Sequence, residues 1–506
     1  MITFLIALSL LVVGYFCYGG LINRVFGPDP KRPMPCYTKQ DGADFIPMPT
    51  WKVYTVQFLN IAGTGPIFGA LMGILYGPAA FLWIVFGCLI GGAMHDYMAG
   101  MISLRKDGAS LPEIIGDELG GTCRQIMRVV TLVLMICVGA SFIMIPAGLM
   151  VTLMRDFTSS ELLTSGLFWT ILMFAFYLCV TVFSISKIMG NIYPIFGVAL
   201  LVMAILMCIG LFTHPGEIPS FSEAFTDHYP AGTGITPLFP GLFITIACGA
   251  VSGFHATQSP MMARCLTNEK YGKRCFYGAM VTEGVVALIW AAAAIKFADT
   301  LDAQGATPYE RLYNAMTNNG TTKLDPASVV NLMCKDWLGT AGLILAVLGI
   351  VAAPISTGGS AFRAARLILA DFSGYGQKTI LRRIILSLPL FAIAILMLNV
   401  SSFKVLWLYV SWFNQVLATM TFFTIAHWLY KRSRSAQRPS GLAGASWNWL
   451  LAFFPAVFMC AVSSCFILMD ADNGFGMEEG ISNIIGLSFT AVMTLLFLRF
   501  TLKSKK

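Results

Sequence analysis

The feature that most constrains this chain is a recurring run of about 20 continuous apolar residues, the length that crosses a bilayer core as an α-helix. Such runs occupy 2–22, 54–76, 79–103, 128–153, 167–186, 192–213, 238–262, 277–297, 339–361, 384–399, 404–430, 447–469 and 481–500. They predict thirteen transmembrane helices. The runs are too long and too unbroken for membrane strands of about 10 alternating residues. Composition agrees, with 57% hydrophobic and 11% charged residues, against about 25% charged in soluble domains. A soluble enzyme, a disordered chain, a disulfide-knit module and a nucleic-acid binder are excluded on these grounds. The first run lacks a basic leader and a small-residue cleavage site, so it reads as a retained helix.

The cations give the topology. With the 23–53 loop in the cytoplasm and strict alternation after it, 27 of the 33 Lys and Arg fall on the inner side. That bias predicts an outer N-terminus and a cytoplasmic C-terminus. The net charge of +8 is then an address for the inner face. Of the 13 cysteines, Cys334 alone reads as lying in an outer loop, and no CxxC pair suggests a metal site.

Two runs are interrupted. Run 54–76 contains Asn60-Ile61-Ala62-Gly63-Thr64-Gly65-Pro66. Run 238–262 contains Cys248-Gly249-Ala250-Val251-Ser252-Gly253-Phe254-His255. Gly and Pro break helical hydrogen bonding, and irregular backbone at membrane depth survives only beside protein or a wet cavity. With the first and last two helices set aside, the breaks fall in the first and sixth of ten helices. That spacing is the signature of an inverted-repeat transporter.

The expected fold is therefore all-α, with a LeuT-type five-plus-five core, one extra N-terminal helix and two extra C-terminal helices. Its parts are the N-terminal helix 1–22, a cytoplasmic loop 23–53, a first repeat 54–213, an outer loop 214–237, a second repeat 238–430 with an outer loop at 298–338, and the C-terminal pair 447–500.

Substrate is expected between the breaks, where half-helix N-termini present N–H groups to a carboxylate. The expected contacts are Gln57, Gly63, Thr64, Gly65, Ser252, Gly253, His255 and Gln258. The eighth core helix carries Ala353-Pro354-Ile355-Ser356-Thr357. By resemblance to LeuT-type transporters, carbonyls of Leu59, Ala62 and Ala353 with hydroxyls of Ser356 and Thr357 form a sodium site of hard oxygen ligands. The alternative is that these hydroxyls bond carbonyls one turn back on their own helix.

Ionisable residues inside the spans are functional candidates. His95, Asp96, His255 and Glu283 are the proton-relay candidates. Two structural readings stand beside that role: Asp96 paired with an arginine such as Arg105, and Glu283 paired with Arg264 or Lys273. No other cofactor is expected, and no Walker A, HExxH or nucleophile-elbow motif points to an enzyme.

The stretches Gly42-Ala43-Asp44-Phe45-Ile46-Pro47, NIAGTGPIFG at 60–69, GGAMHDYMAGMISLRKDGASLPE at 91–113, ACGAVSGFHATQSPMMAR at 247–264, YGAMVTEGVVALIWAAAA at 277–294 and PISTGGSAFRAARLILADF at 354–372 resemble the carbon starvation protein A family in its shorter branch. The resemblance implies a bacterial inner-membrane uptake protein of the amino acid–polyamine–organocation superfamily. Short peptides or pyruvate are the implied substrates, with a proton or sodium gradient as the drive. The chain departs from the longer members, which carry a His pair where Gln57, Phe58 and Leu59 stand. It also has Gly359 where short members carry Asp.

Overall fold

The computed structural model describes residues 1–226, 228, 236–301, 303–317, 324, 326–400, 403–435, 439–471 and 474–503. The side chains of 152, 153, 156, 157, 340–348, 350, 400 and 403–408 are not described. Helices are the only regular elements among the described residues. The α-helices longer than four residues are α1 (Ile2–Phe26), α2 (Thr50–Ile61), α3 (Gly65–Gly73), α4 (Ala79–Phe86), α5 (Ala93–Arg105), α6 (Leu111–Leu119), α7 (Gly121–Phe157), α8 (Gly166–Val182) and α9 (Met189–Thr213). The second half holds α10 (Leu238–Thr245), α11 (Gly253–Ala263), α12 (Gly278–Phe297), α13 (Pro308–Thr317), α14 (Pro326–Ser373), α15 (Ile380–Val400), α16 (Phe403–Arg434), α17 (Leu450–Met469) and α18 (Glu479–Lys503).

Eight helices among the described residues are long and apolar enough to cross a membrane, or nine when α2 and α3 count as one span bent by 45°. The expected run 238–262 divides into α10 and α11, and the run 167–186 shortens to the 17 residues of α8. The runs 339–361 and 404–430 fall in α14 and α16, partly on side chains outside the described set. α14 is two helices meeting at Gly339, whose φ of 65° no α-helical residue adopts. Its first part packs Trp337 against Gly210 and stacks it on His214. Cys334 lies there too, buried with its thiol 3.9 Å from Met207 Sδ, so the expected outer-loop position is corrected to a helix face.

Segments whose cations fall on one side in the sequence meet at one end of the bundle. Arg105 and Arg32 pair with Glu269 at 3.1 and 3.3 Å. Lys106 and Lys431 converge on Glu118 at 2.8 and 3.2 Å, and Arg432 donates to Phe26 O. The opposite end joins Thr3 to Pro219 O and Thr236 to Asp470. Arg105 is thus engaged by Glu269, and the expected pairing of Asp96 with Arg105 is corrected.

Between these ends, close approach depends on glycine. Gly65, Gly69 and Gly73 recur every fourth residue on α3, the small-residue spacing that lets membrane backbones touch. A Cβ at Gly65 would overlap Cys248, at Gly69 it would press on Thr245 O, and at Gly73 it would overlap Ile246. The half-helix after the first break therefore lies directly on the second break.

Candidate functional site

The first break is short. α2 ends at Ile61, Ala62 leaves the helix with ψ of 68°, and α3 begins at Gly65. Its freed Leu59 carbonyl is met by α14, with Ser356 Oγ at 3.1 Å and Thr357 Oγ1 at 3.0 Å. Ser356 Oγ also lies 2.7 Å from Ala353 O, one turn back. The structure thus brings Leu59, Ala353, Ser356 and Thr357 together, with Ala62 in the same turn. Tyr193 and Tyr177, which the sequence did not single out, fix this part of α14 by donating to Ser356 O at 2.8 Å and Pro354 O at 3.1 Å. Every group in this set is neutral.

The second break runs from Ile246 to Ser252. Gly249 sits at φ of 90°, the left-handed region open to glycine. The carbonyls freed here are met from outside: Gln415 Nε2 donates to Phe243 O and Val251 O at 3.1 and 3.2 Å, and Trp83 Nε1 to Ile246 O at 2.9 Å. A π turn at Gly87–Gly92 joins α4 to α5 against this break, and a Cβ at Gly92 would overlap Ala250 O. Such turns reset the helix face beyond them, and here the next residues are His95 and Asp96.

The α11 N-terminus is capped from within the protein. Asn414 Oδ1 accepts from Phe254 N–H at 2.8 Å, and Ser252 O accepts from His255 N–H at 3.1 Å. Gly253 packs on the α16 backbone, where a Cβ would overlap Asn414 O and Ala418 N. Two of the N–H groups at the start of α11 are thus engaged within the protein. Asn414 is a side-chain cap that satisfies the donors a helix start leaves open.

Beside the second break lies a cluster of charge. His95 Nδ1 is 3.0 Å from Asp96 Oδ1, and His255 Nδ1 lies 3.6 Å from both Asp96 Oδ2 and Glu283 Oε2. All four side chains are fully buried. Among the described residues neither carboxylate pairs with Lys or Arg. Arg264, expected beside Glu283, instead donates to Gly108 O and faces Asp371. Cys248 completes the group, with its thiol, a His255 ring nitrogen and a Glu283 oxygen all within 4.8 Å of one another.

A cavity of about 30 Å³ lies between the breaks, lined by Gly65, Cys248, Phe142, Phe254, Thr357 and Asn414 among others. It has room for about two waters, so the protein stands closed at this level. Of the expected substrate contacts, Gly65 is in its wall. Gln57 ties α2 to α11 through Ser259 Oγ at 3.1 Å, and Gln258 bonds Thr257. Gly63 packs between Phe142 and Thr357. The Thr64 hydroxyl is buried without a hydrogen-bond partner among the described residues, and the buried Ser252 hydroxyl lies against the Cys248 thiol.

On the inner side a second network locks the first repeat to α14. Asp44 Oδ1 accepts from Arg363 at 2.6 Å and from Arg366 at 3.0 Å, while Arg363 also donates to Val180 O and Phe183 O. Burial by itself would raise the Asp44 pKa. The guanidinium groups of Arg363, Arg366 and Arg264 outweigh it and hold the carboxyl well below the usual range.

The carbon starvation protein CstA profile matches residues 1–221 and 217–333. The chain belongs to the carbon starvation protein CstA family. It is 40% identical over 338 residues to an uncharacterized membrane protein of Haemophilus influenzae, covering 59% of this chain and 91% of that one. It is 30% identical over 412 residues to the pyruvate/proton symporter BtsT of Escherichia coli, covering 69% of this chain and 56% of BtsT. With the peptide transporter CstA of Bacillus subtilis it shares 28% identity over 356 residues and 59% of each chain. The matches thus span little more than half the length of these two transporters. A mutant of the Eremococcus coleocola manganese transporter superposes at a TM-score of 0.59 with 12% identity, covering 92% of this chain and 98% of that one. MhsT in complex with L-phenylalanine superposes at 0.57 with 14% identity, covering 81% and 97%. Both have the LeuT-type fold, which this CstA-family membrane protein shares.

Proposed function

We propose that this CstA-family protein is a secondary active importer of the bacterial inner membrane, with its N-terminus outside and its C-terminus in the cytoplasm. It takes up short peptides or a small carboxylate such as pyruvate, driven by a sodium or proton gradient, when carbon is limiting. The observation that carries this reading is the shared wall between the two breaks. Thr357 bonds the Leu59 carbonyl and also lines the cavity at which Gly65 meets Cys248. A cation held by Leu59, Ala62, Ala353, Ser356 and Thr357 would sit one side chain away from a substrate in that cavity. Such adjacency lets the binding of one favour the binding of the other.

A substrate carboxylate needs more than the present 30 Å³, so binding requires the two repeats to part, as alternating access does. The half-helix starts at Gly65 and Gly253 then present partial positive charge to the carboxylate. Sodium coupling would run through the hydroxyl site. Proton coupling would run through His95, Asp96, His255 and Glu283. Reconstitution in liposomes, with pyruvate and di- or tripeptides offered under separately imposed sodium and proton gradients, tests the reading. Accumulation above the outside concentration under one gradient is expected. Uptake that merely equilibrates and ignores both gradients would mark a channel and overturn coupled transport.

A further inference from the structure

The second break places a thiol, an imidazole and a carboxylate around one point. The Cys248 thiol, a His255 ring nitrogen and a Glu283 oxygen lie mutually within 4.8 Å. Donors in a tetrahedral zinc site stand roughly 3.3–3.8 Å apart, with metal bonds of about 2.0–2.3 Å. Side-chain rotations of a few tenths of an ångström per group close that gap. Among the described residues both ring nitrogens of His255 are buried without a hydrogen-bond partner, and the buried Glu283 carboxylate has only the Gly249 backbone N–H of the second break as a donor. Asp96 Oδ2 is equally unpartnered, 3.6 Å from His255 Nδ1. Its other oxygen is held by His95, which leaves Oδ2 facing His255.

Neither buried carboxylate has a Lys or Arg partner among the described residues, so each is neutralised by a proton or by a bound cation, and unpartnered polar atoms in such a site carry a high desolvation cost. We infer that Cys248, His255 and Glu283 bind a divalent transition-metal ion of the zinc class, with the Asp96 carboxylate beside His255 adding negative charge. Sulfur and imidazole nitrogen select this class over magnesium and calcium, which take oxygen ligands. Cys248 is half-buried and lines the cavity between the breaks, so the ion would sit in the wall of that cavity. Binding breaks the thiol S–H bond, forms the metal–sulfur bond and releases one proton to solvent. The inference stands on the cluster alone. A metal titration requires no uptake, so its outcome is separate from that of the transport assay.

The test uses the full chain purified in detergent, stripped with a chelator and titrated with Zn²⁺, Co²⁺ or Mg²⁺ alone. One Zn²⁺ or Co²⁺ per chain is expected, with a thiolate-to-cobalt absorption band in the near ultraviolet, and Mg²⁺ should not displace either ion. Cys248→Ser should abolish the band, and Glu283→Gln should weaken Zn²⁺ binding by roughly 100-fold. Because a variant can fail to fold, the wild-type protein is also treated with a thiol reagent. Zn²⁺ should shield the Cys248 peptide in mass spectrometry. Absence of stoichiometric binding, a band that survives Cys248→Ser, or unshielded Cys248 would each overturn the site.

Discussion

The two breaks solve the same problem in opposite ways. Each frees backbone carbonyls at membrane depth, where unsatisfied groups are costly. The first is three residues long and is met by neutral hydroxyls of α14, while Asp44 meets Arg363 and Arg366 at the inner end of the same helix. The second is longer, is held by Gln415, Trp83 and Asn414, and keeps His255, Asp96 and Glu283 beside it with no Lys or Arg partner among the described residues. Neutral oxygens suit a hard monovalent cation. Softer donors with uncompensated negative charge suit a proton or a divalent ion. Sites of both kinds, a few side chains apart, are what coupling one solute to another requires.

Four substitutions put this contrast at risk, and the largest effect is expected at the second break. Gly253→Leu would drive a side chain into the α16 backbone, and no rotamer relieves a clash with backbone. The variant should be lost to aggregation in detergent size-exclusion chromatography. A monodisperse, active Gly253→Leu would show that α11 and α16 do not touch as described. This is why Gly253 reads as a packing position, whereas Gly65 faces a side chain and lines the cavity.

Asp44→Asn tests the charge at the inner end of α14. It leaves Arg363 and Arg366 buried with one carboxylate fewer, a loss of about 3–5 kcal/mol, read as a lower Tm. The sign of the pH dependence follows from the depressed pKa of Asp44. Its contribution is fully present above the ordinary carboxylate pKa of about 3.9 and fades as pH falls below it toward the folded value. Wild type and Asp44→Asn should differ by a constant margin from neutral pH to about pH 4 and converge in stronger acid. A margin that shrinks between pH 7 and 5 would contradict the pairing.

Asn414→Ala removes the cap on Phe254 N–H and should cost about 1 kcal/mol. Its measurable sign is faster amide exchange at the start of α11, with α3 unchanged. Equal change at both half-helices would blur the contrast between them. The smallest effect on stability is expected from Thr357→Val, which exchanges a hydroxyl for a methyl at the Leu59 carbonyl and should cost about 0.5–1.5 kcal/mol. In a sodium-driven protein it should raise the sodium concentration for half-maximal uptake, and an unchanged sodium dependence would remove Thr357 from the cation site.

The sequence made the breaks legible because Gly and Pro inside apolar runs have one strong physical meaning at membrane depth. The Ser356-Thr357 pair was legible for a related reason: adjacent hydroxyls in an apolar helix must bond to something. Partners of the buried charges were not. Sequence proximity suggested Arg105 for Asp96 and Arg264 for Glu283, but helix direction carries those arginines to the inner end, to Glu269 and Asp371. Cys248 was read only as part of an irregular stretch, because a single cysteine in an apolar run looks like any small apolar residue. Asn414 and Gln415 lie some 160 residues from the carbonyls and N–H they serve, and no local pattern marks such a pairing.

The central claim is that substrate passes between the two breaks where Gly65 lies on Cys248. Uptake of labelled pyruvate and dipeptide by wild type and Gly65→Leu in matched proteoliposomes tests it most directly, with insertion verified by protease protection. The account predicts gradient-driven accumulation by wild type and none by a correctly inserted Gly65→Leu. Wild-type uptake by that variant would contradict it.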